Sequence, residues 1–420
     1  MTRNDNKISR IYQNNRINFN RAALSTIFFA IFASPLFTVS AQAAGLQLMP
    51  GSPNFGTAGA GHAAAGIGAG SAWANPATMT LNEGPQVAGG LIAAKTEIKF
   101  EADDKSANSG GDAGGEIYIP SFSYIDSLSE RLKFGFSVVV PFGNSLDYDD
   151  DWAGSNVATD ASTETIQVMP SLAYRINQQF SIGFGVIANH TAVEQKLSMT
   201  ITPRLKADAA LEANGIDYGW TLGGLYELNE RHRFGIVYRS QIDSDLSGDG
   251  AIGNDVKDTD LNWENPASIV LSGYHQVSDK VTLLWDIGRT FYSAFEETTV
   301  HIDGFPDIDL HRNWQDANRY AVGSHYQLTD TIILQAGYSF EESTVETADR
   351  SVDLPLDNIQ RYTIGAMYKL SESTDIALGL EFADLGTPEI KDNGDPLFSS
   401  PDGEYDNSAV AASMSFNYKF

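Results

Sequence analysis

The chain has 420 residues, 19% of them charged, no cysteine and a formal net charge of −27. The acidic balance argues against a nucleic-acid partner. The missing cysteine excludes disulfides and a lipid-modified N-terminal cysteine. After the N-terminal region no stretch reaches about 18 consecutive apolar residues, so a helical membrane protein is not expected.

Residues 1–21 carry Arg3, Lys7, Arg10, Arg16 and Arg21 against one acid, Asp5. The apolar run Ala22 to Val39 follows, then the small-x-small pattern Ala41-Gln42-Ala43. This is the order of a secretory signal peptide over 1–43, with Ala44 as the mature N-terminus. Its removal takes away five bases and one acid and leaves −31.

Residues 44–79 are half Gly or Ala, 18 of 36 positions, and contain no Asp, Glu, Lys or Arg. A segment so small and uncharged makes no core of its own and suits a plug inside something larger. From Gln86 onward the period is two. Phe180, Ile182, Phe184 and Val186 alternate with Ser181, Gly183, Gly185 and Ile187. Ile332 to Phe340 and Tyr362 to Leu370 repeat the pattern. One apolar face and one small or polar face fit a strand between lipid and lumen.

Short turns are expected near Asp126–Glu130, Asn177–Gln178, Asn229–Glu230, Ser278–Asp279, Thr329–Asp330 and Ser371–Ser373. Long acidic or Gly-rich loops are expected near 101–115, 145–162, 195–216, 245–260, 300–312, 345–356 and 385–407. Six short turns and seven long loops join fourteen strands, with both ends on the short-turn side. Met414, Phe416, Tyr418 and Phe420 share one face of the last strand, the usual assembly signal of such barrels. The reading is a 14-stranded antiparallel transmembrane β-barrel over 86–420, with residues 44–85 inside its lumen. The acidic loops either stay solvated or bridge divalent cations to anionic glycolipid, and the pattern does not separate the two.

The mature chain resembles the FadL-type outer-membrane transporters of long-chain fatty acids and other hydrophobic compounds. The resemblance rests on Ala44-Gly45-Leu46-Gln47-Leu48, the Gly/Ala-rich stretch and Asn75-Pro76-Ala77. It continues through Asn313-Trp314-Gln315-Asp316 with Arg319-Tyr320, and through Asp349-Arg350, Leu354-Pro355 and Arg361-Tyr362. It implies a barrel closed by a small N-terminal hatch. It also implies capture of an apolar ligand at outer loops, passage to a pocket beside the hatch, and sideways exit through a kink in the third strand.

Asn75, Pro76 and Ala77 are the candidate gating residues. Pro fixes φ and the residue before it favours an extended conformation. Leu46, Leu48 and Phe55 are the large apolar hatch residues and candidate ligand contacts. Pro141, Phe142 and Gly143 mark a candidate wall opening, because Pro inside a strand removes a ladder hydrogen bond. In the 195–216 loop, Leu205 and Leu211 are candidates for ligand capture, with Arg204 and Lys206 to receive a carboxylate. Ala207 to Ala213 in that loop reads as helix-prone.

The expected partners are a long-chain fatty acid or other hydrophobic small molecule, outer-membrane lipid and glycolipid, and the barrel-assembly machinery at Phe420. The chain is expected to act as a monomer. Neither catalysis nor a cofactor is expected: the seven His residues show no metal-ligand spacing and Gly-x-Ser-x-Gly is absent. The alternatives are a general diffusion porin, and a barrel lipase suggested faintly by Ser181 and His190.

Overall fold

The computed structural model describes residues 52–420, apart from 203–204, 254, 296, 393 and 395–398. The expected signal peptide lies outside the described residues, as do Leu46, Leu48, Arg204 and the side chains of Leu205 and Lys206.

The strands are β1 (Gln86–Ala102), β2 (Glu116–Ser127), β3 (Leu132–Asp147), β4 (Asp160–Arg175), β5 (Phe180–Thr202), β6 (Leu205–Asn229) and β7 (His232–Arg239). Then come β8 (Ile242–Ile252), β9 (Asp255–Asn265), β10 (Ser268–Gln276), β11 (Val281–Thr290), β12 (Glu297–Ile302) and β13 (Ile308–His311). The chain finishes with β14 (Ala317–Gln327), β15 (Ile332–Glu341), β16 (Ile359–Lys369), β17 (Thr374–Asp384), β18 (Glu389–Ile390) and β19 (Gly403–Lys419).

Fourteen of these form one antiparallel barrel, as the alternation predicts. β1 to β7 pair in sequence, and the ring continues through β10, β11, β14, β15, β16, β17 and β19. It shuts where β19 meets β1, in register from Gln86↔Lys419 to Ala102↔Gly403. Closure satisfies the backbone of the first and last strands, which lipid would otherwise leave unpaired.

The six short turns share one device. Ser129, Asn177, Asn229, Ser278, Thr329 and Ser371 each accept hydrogen bonds from backbone N–H groups two or three residues ahead, at 2.8–3.4 Å. A side-chain oxygen thus stands in for a backbone turn partner. The lipid-facing side is apolar: Phe180, Ile182, Phe184 and Val186 are each nearly half exposed. Tyr174, Tyr326, Tyr368 and Tyr418 are exposed close to the short-turn end, where aromatic side chains suit the membrane interface.

Three of the expected long loops are strand instead. Residues 195–202 continue β5, and 205–216 belong to β6, with Gln195↔Leu211 and Lys196↔Ala210 in register. Ala207–Ala213 is therefore strand and not helix. Residues 245–260 form most of the β8–β9 hairpin, and 300–312 most of the β12–β13 hairpin. The reason is visible in the parity. Asp243, Asp245 and Ser247 are exposed while Ile242, Ser244 and Leu246 are buried. The acids occupy the outer face of a strand, so their density did not signal a loop. Trp263, Tyr292, Phe295 and Trp314 pack beneath these hairpins in one apolar cluster.

Candidate functional site

Residues 52–85 run inside the ring before β1. A buried turn of 3-10 helix at Phe55–Thr57, a short α-helix at Ser71–Ala74 and a 3-10 helix at Pro76–Leu81 are its only regular elements. The segment borrows its core from the wall. Ala69, Ala72 and Met79 pack with Ala88, Ile125 and Ala173, and Ala60 and Ala65 pack with Leu284 and Ala321. Small lumenal wall residues make this approach feasible. A Cβ at Gly183 would collide with the backbone of Pro76 and Ala77, and one at Gly337 with the backbone of Thr57. Gly is the residue that lets two backbones come this close.

Asn75, fully buried, ties this segment together. Its Oδ1 accepts from Ala77 N at 3.0 Å, capping the helix that Pro76 starts. Its Nδ2 lies 2.7 Å from Ala63 O, 3.1 Å from Gly224 O on β6 and 3.3 Å from Ile236 O on β7. Asn75, Pro76 and Ala77 thus join two parts of the plug to the wall.

Five wall cations donate to carbonyls of the plug, whose residues up to 79 carry no charge of their own. Arg233 reaches Ala64 O and Ala65 O, both at 2.7 Å; Arg175 reaches Thr80 O at 2.6 Å; Lys133 reaches Asn82 O at 2.8 Å. Arg319 donates to Ala58 O, and Arg239 to Trp73 O and Ala74 O. On β11, the buried Asp286 accepts from Gly61 N at 2.7 Å and His62 N at 3.2 Å, with Arg319 at 3.7 Å. Beyond it, Arg319 is in register with Glu341, and Arg361 lies 3.2 Å from Glu341 and 3.8 Å from Glu381. Opposite charges therefore alternate across β11, β14, β15, β16 and β17. Sequence reasoning picked out Arg319 and Arg361 only as parts of a motif; the available signal was an ionisable residue at a lumen-parity position.

A cavity of about 100 Å³ separates plug from wall. Phe55, His62 and Trp73 line it from the plug, and from the wall Ser121, Val139 and Arg239 together with Asp286, Arg289, Arg319 and Glu341. The Arg239 guanidinium sits 4.3 Å over the Trp73 ring. Two buried donors at this cavity, Arg239 Nε and Trp73 Nε1, have no hydrogen-bond partner.

Beside the cavity the wall is interrupted. β3 pairs with β2 only from Ser127↔Lys133 to Phe122↔Val138. β2 continues to Glu116 and stays in register with β1, but β3 has left it. On the other edge Val139 pairs with Gln167 and Phe142 with Thr165, so β3 carries one extra residue there. That is a β-bulge, which bends the strand. Val139, Val140 and Pro141 are consecutively buried, where regular alternation would expose one of them. Pro141, Phe142 and Gly143 thus lie at the bulge and just beyond it. One apolar cluster spans the interruption. Phe55 is its plug member; Ile92, Ile117, Ile119 and Val140 are its buried wall members; and the half-buried Ile166 packs against it. Ile166 shares the parity of the exposed Leu172 and Tyr174, so the cluster runs from the plug to the outer face.

Leu211 is half-buried against the Trp263–Trp314 cluster, and its backbone pairs with Gln195. Ser181 faces the lumen and bonds Thr80 Oγ1 at 2.9 Å, whereas His190 has the opposite strand parity. The two do not form a nucleophile–base pair. No group of three or more His, Asp or Glu able to hold a metal ion occurs among the described residues.

The arrangement defines a class: an outer-membrane β-barrel with its own N-terminal segment folded into the lumen. A family model described as outer membrane protein transport protein (OMPP1/FadL/TodX) matches residues 34–420, and the chain belongs to that family. It is 24% identical to a long-chain fatty acid transport protein of Shigella flexneri, over 96% of this chain and 99% of the relative. Among solved structures it is similar to a Pseudomonas aeruginosa FadL homologue, with a TM-score of 0.84 and 21% identity over 90% of this chain and all of that one. It is also similar to the Pseudomonas putida toluene transporter TodX, with a TM-score of 0.72 and 18% identity over 89% of this chain and 99% of that one.

Proposed function

We propose that this chain takes up hydrophobic small molecules across the outer membrane, that its ligands are amphiphiles with an acidic head, long-chain fatty acids foremost, and that they leave sideways between β2 and β3. The observation that carries this reading is the apolar cluster running from Phe55 to Ile166 through the one-residue bulge of β3. A purely polar channel would place water-binding side chains there. Outer-membrane lipid is the destination that such an exit serves.

The acidic head is supported by the cavity. Arg239 Nε and Trp73 Nε1 are buried donors with no acceptor. An unmatched buried donor is costly, and a carboxylate offers charge-assisted bonds to both. A neutral hydrocarbon would leave both unmatched. The Shigella relative's name agrees with this ligand class, whereas the TodX structure is named for toluene, so the head assignment rests on the cavity. Asn75, Pro76 and Ala77 hold the plug in place while the ligand is in the cavity. Capture at the outer rim falls to the apolar cluster under the β8–β9 and β12–β13 hairpins, with Leu211 at its edge.

The test is uptake of radiolabelled oleate by cells lacking their own transporter, together with calorimetric titration of the purified barrel with oleate and with octadecane in detergent. Oleate uptake and saturable oleate binding are expected. Arg239→Ala should weaken oleate about tenfold, the scale of one charge-assisted hydrogen bond. Equal binding of octadecane and oleate, or no effect of Arg239→Ala, would refute the acidic-head assignment.

A further inference from the structure

Phe55 occupies the place where the cavity meets the interrupted wall. It lines the cavity, is only 7% exposed, and among the described residues is the one plug member of the cluster that bridges the break. The wall members of that cluster come from β1, β2 and the bulged part of β3, on both sides of the missing β2–β3 pairing. A ligand moving from the cavity towards Ile166 therefore meets the Phe55 ring first. The ring touches β1, β2 and β3 through apolar side chains and β17 at Gly379, whereas other parts of the plug are held by hydrogen bonds from Asp286, Arg319 and Arg233. An apolar contact can open and reform without stranding a charge or a hydrogen bond.

We propose that the Phe55 side chain is the door between the cavity and the wall break, and that its bulk sets the rate and the girth limit of ligand exit. The proposal rests on the lateral-exit reading above. Ligand head binding at Arg239 and Trp73 holds the molecule while its chain lies against the ring. Displacement of the ring joins cavity and outer face along Ile119, Val140 and Ile166. Phe55 thus acts on passage, not on capture. Changing its size should alter transport while leaving the head's dependence on Arg239 in place.

The experiment uses the full chain in cells lacking their own transporter, with folded barrel in the outer membrane matched by heat-modifiable migration. Phe55→Ala and Phe55→Leu should raise uptake of oleate about threefold or more and admit a bulkier ring-capped fatty acid, and Phe55→Trp should lower both. Phe55 also lines the cavity, so affinity is measured beside uptake: the about tenfold cost of Arg239→Ala should be the same in Phe55→Leu as in the parent, since the head contacts are untouched. Should Phe55→Ala fail to fold, the Leu and Trp variants decide. Because the chain has no cysteine, the break itself can be bridged specifically. Tyr118 and Phe142 would face each other if the Phe122↔Val138 register continued, so Tyr118→Cys with Phe142→Cys joined by a bis-maleimide spans the gap. Bridging should stop uptake. Uptake and girth selection unchanged in all Phe55 variants, with bridging still blocking, would overturn the door and leave lateral exit standing. Full uptake by the bridged barrel would overturn lateral exit and the door with it.

Discussion

The wall from β11 to β17 and the wall from β1 to β3 hold the same plug in different proportions of charge and apolar contact. On the first, Asp286, Arg319, Glu341, Arg361 and Glu381 alternate in sign, and Asp286 and Arg319 reach into the plug backbone. The strands there are paired in unbroken register. On the second, Phe55 and Ala72 meet Ile92, Ile119 and Ala88 through apolar contact, Lys133 supplies a cation to Asn82 O near the short-turn end, and β3 departs from β2. Buried charges resist separation because each partner left behind pays full desolvation. Apolar contacts give way more readily. The difference separates two duties, anchoring the plug and letting cargo pass, and puts them on two arcs of one ring with β19 between them.

The largest effect should follow from breaking the anchor. Asp286→Ala leaves Arg319 without its β11 partner and two plug N–H groups without an acceptor. A buried pair broken on one side costs about 3–5 kcal/mol. The expected result is loss of the heat-modifiable folded form, or a large drop in its melting temperature. Asp286→Asn should recover a good part of it, because an amide oxygen still accepts from Gly61 and His62. Equal stability of the Ala variant and the parent would show that the charged wall does not anchor the plug.

The second test acts on the other wall. Deleting Val140 removes the extra residue of β3 and lets pairing with β4 run without a bulge. Oleate uptake should fall about tenfold or more, since a continuous strand leaves no aperture, while stability holds or rises. Retained uptake would separate the bulge from transport. Asn75→Ala comes next. It removes one helix cap and the amide that reaches Ala63, Gly224 and Ile236, costing about 1–3 kcal/mol. Hydrogen exchange of Ala77 and Thr78 should speed up in this variant, and unchanged exchange would mean that Asn75 does not hold the plug.

Much of this division was hidden in the sequence, for specific reasons. The six turns were legible because Asn177, Asn229 and their counterparts carry the side-chain acceptor that a tight turn uses. The barrel was legible because lipid enforces parity on every second residue. Pro141, read as the mark of a wall opening because proline cannot donate to a ladder, falls at the bulge of β3. The outer hairpins were misread as loops: acid density was weighed above the alternation that Asp243, Asp245 and their buried neighbours still keep. The anchors were illegible because they join residues far apart in the chain. Gly61 and Asp286 are 225 positions apart, and nothing local to either one names the other.

The smallest expected effect offers the cleanest comparison of the two walls. Ile166 on β4 and Ile364 on β16 both have lipid-facing parity, but only Ile166 packs against the cluster that reaches Phe55. Ile364 is 61% exposed and opposite Leu380, beyond the charged wall. Serine at either site moves a hydroxyl to the lipid-facing surface, and the folding penalties should be alike, about 1–2 kcal/mol at most. Their consequences for transport should differ. At Ile166 the hydroxyl lies on the path by which an acyl chain reaches the membrane, so Ile166→Ser should slow oleate uptake about two- to fivefold, because the chain must cross a polar step. Ile364→Ser should leave uptake at the parental rate. A loss shared by both variants would trace to the barrel's insertion and not to the route. Slowing by Ile364→Ser alone would place the exit on the charged wall and reverse the assignment of the two walls.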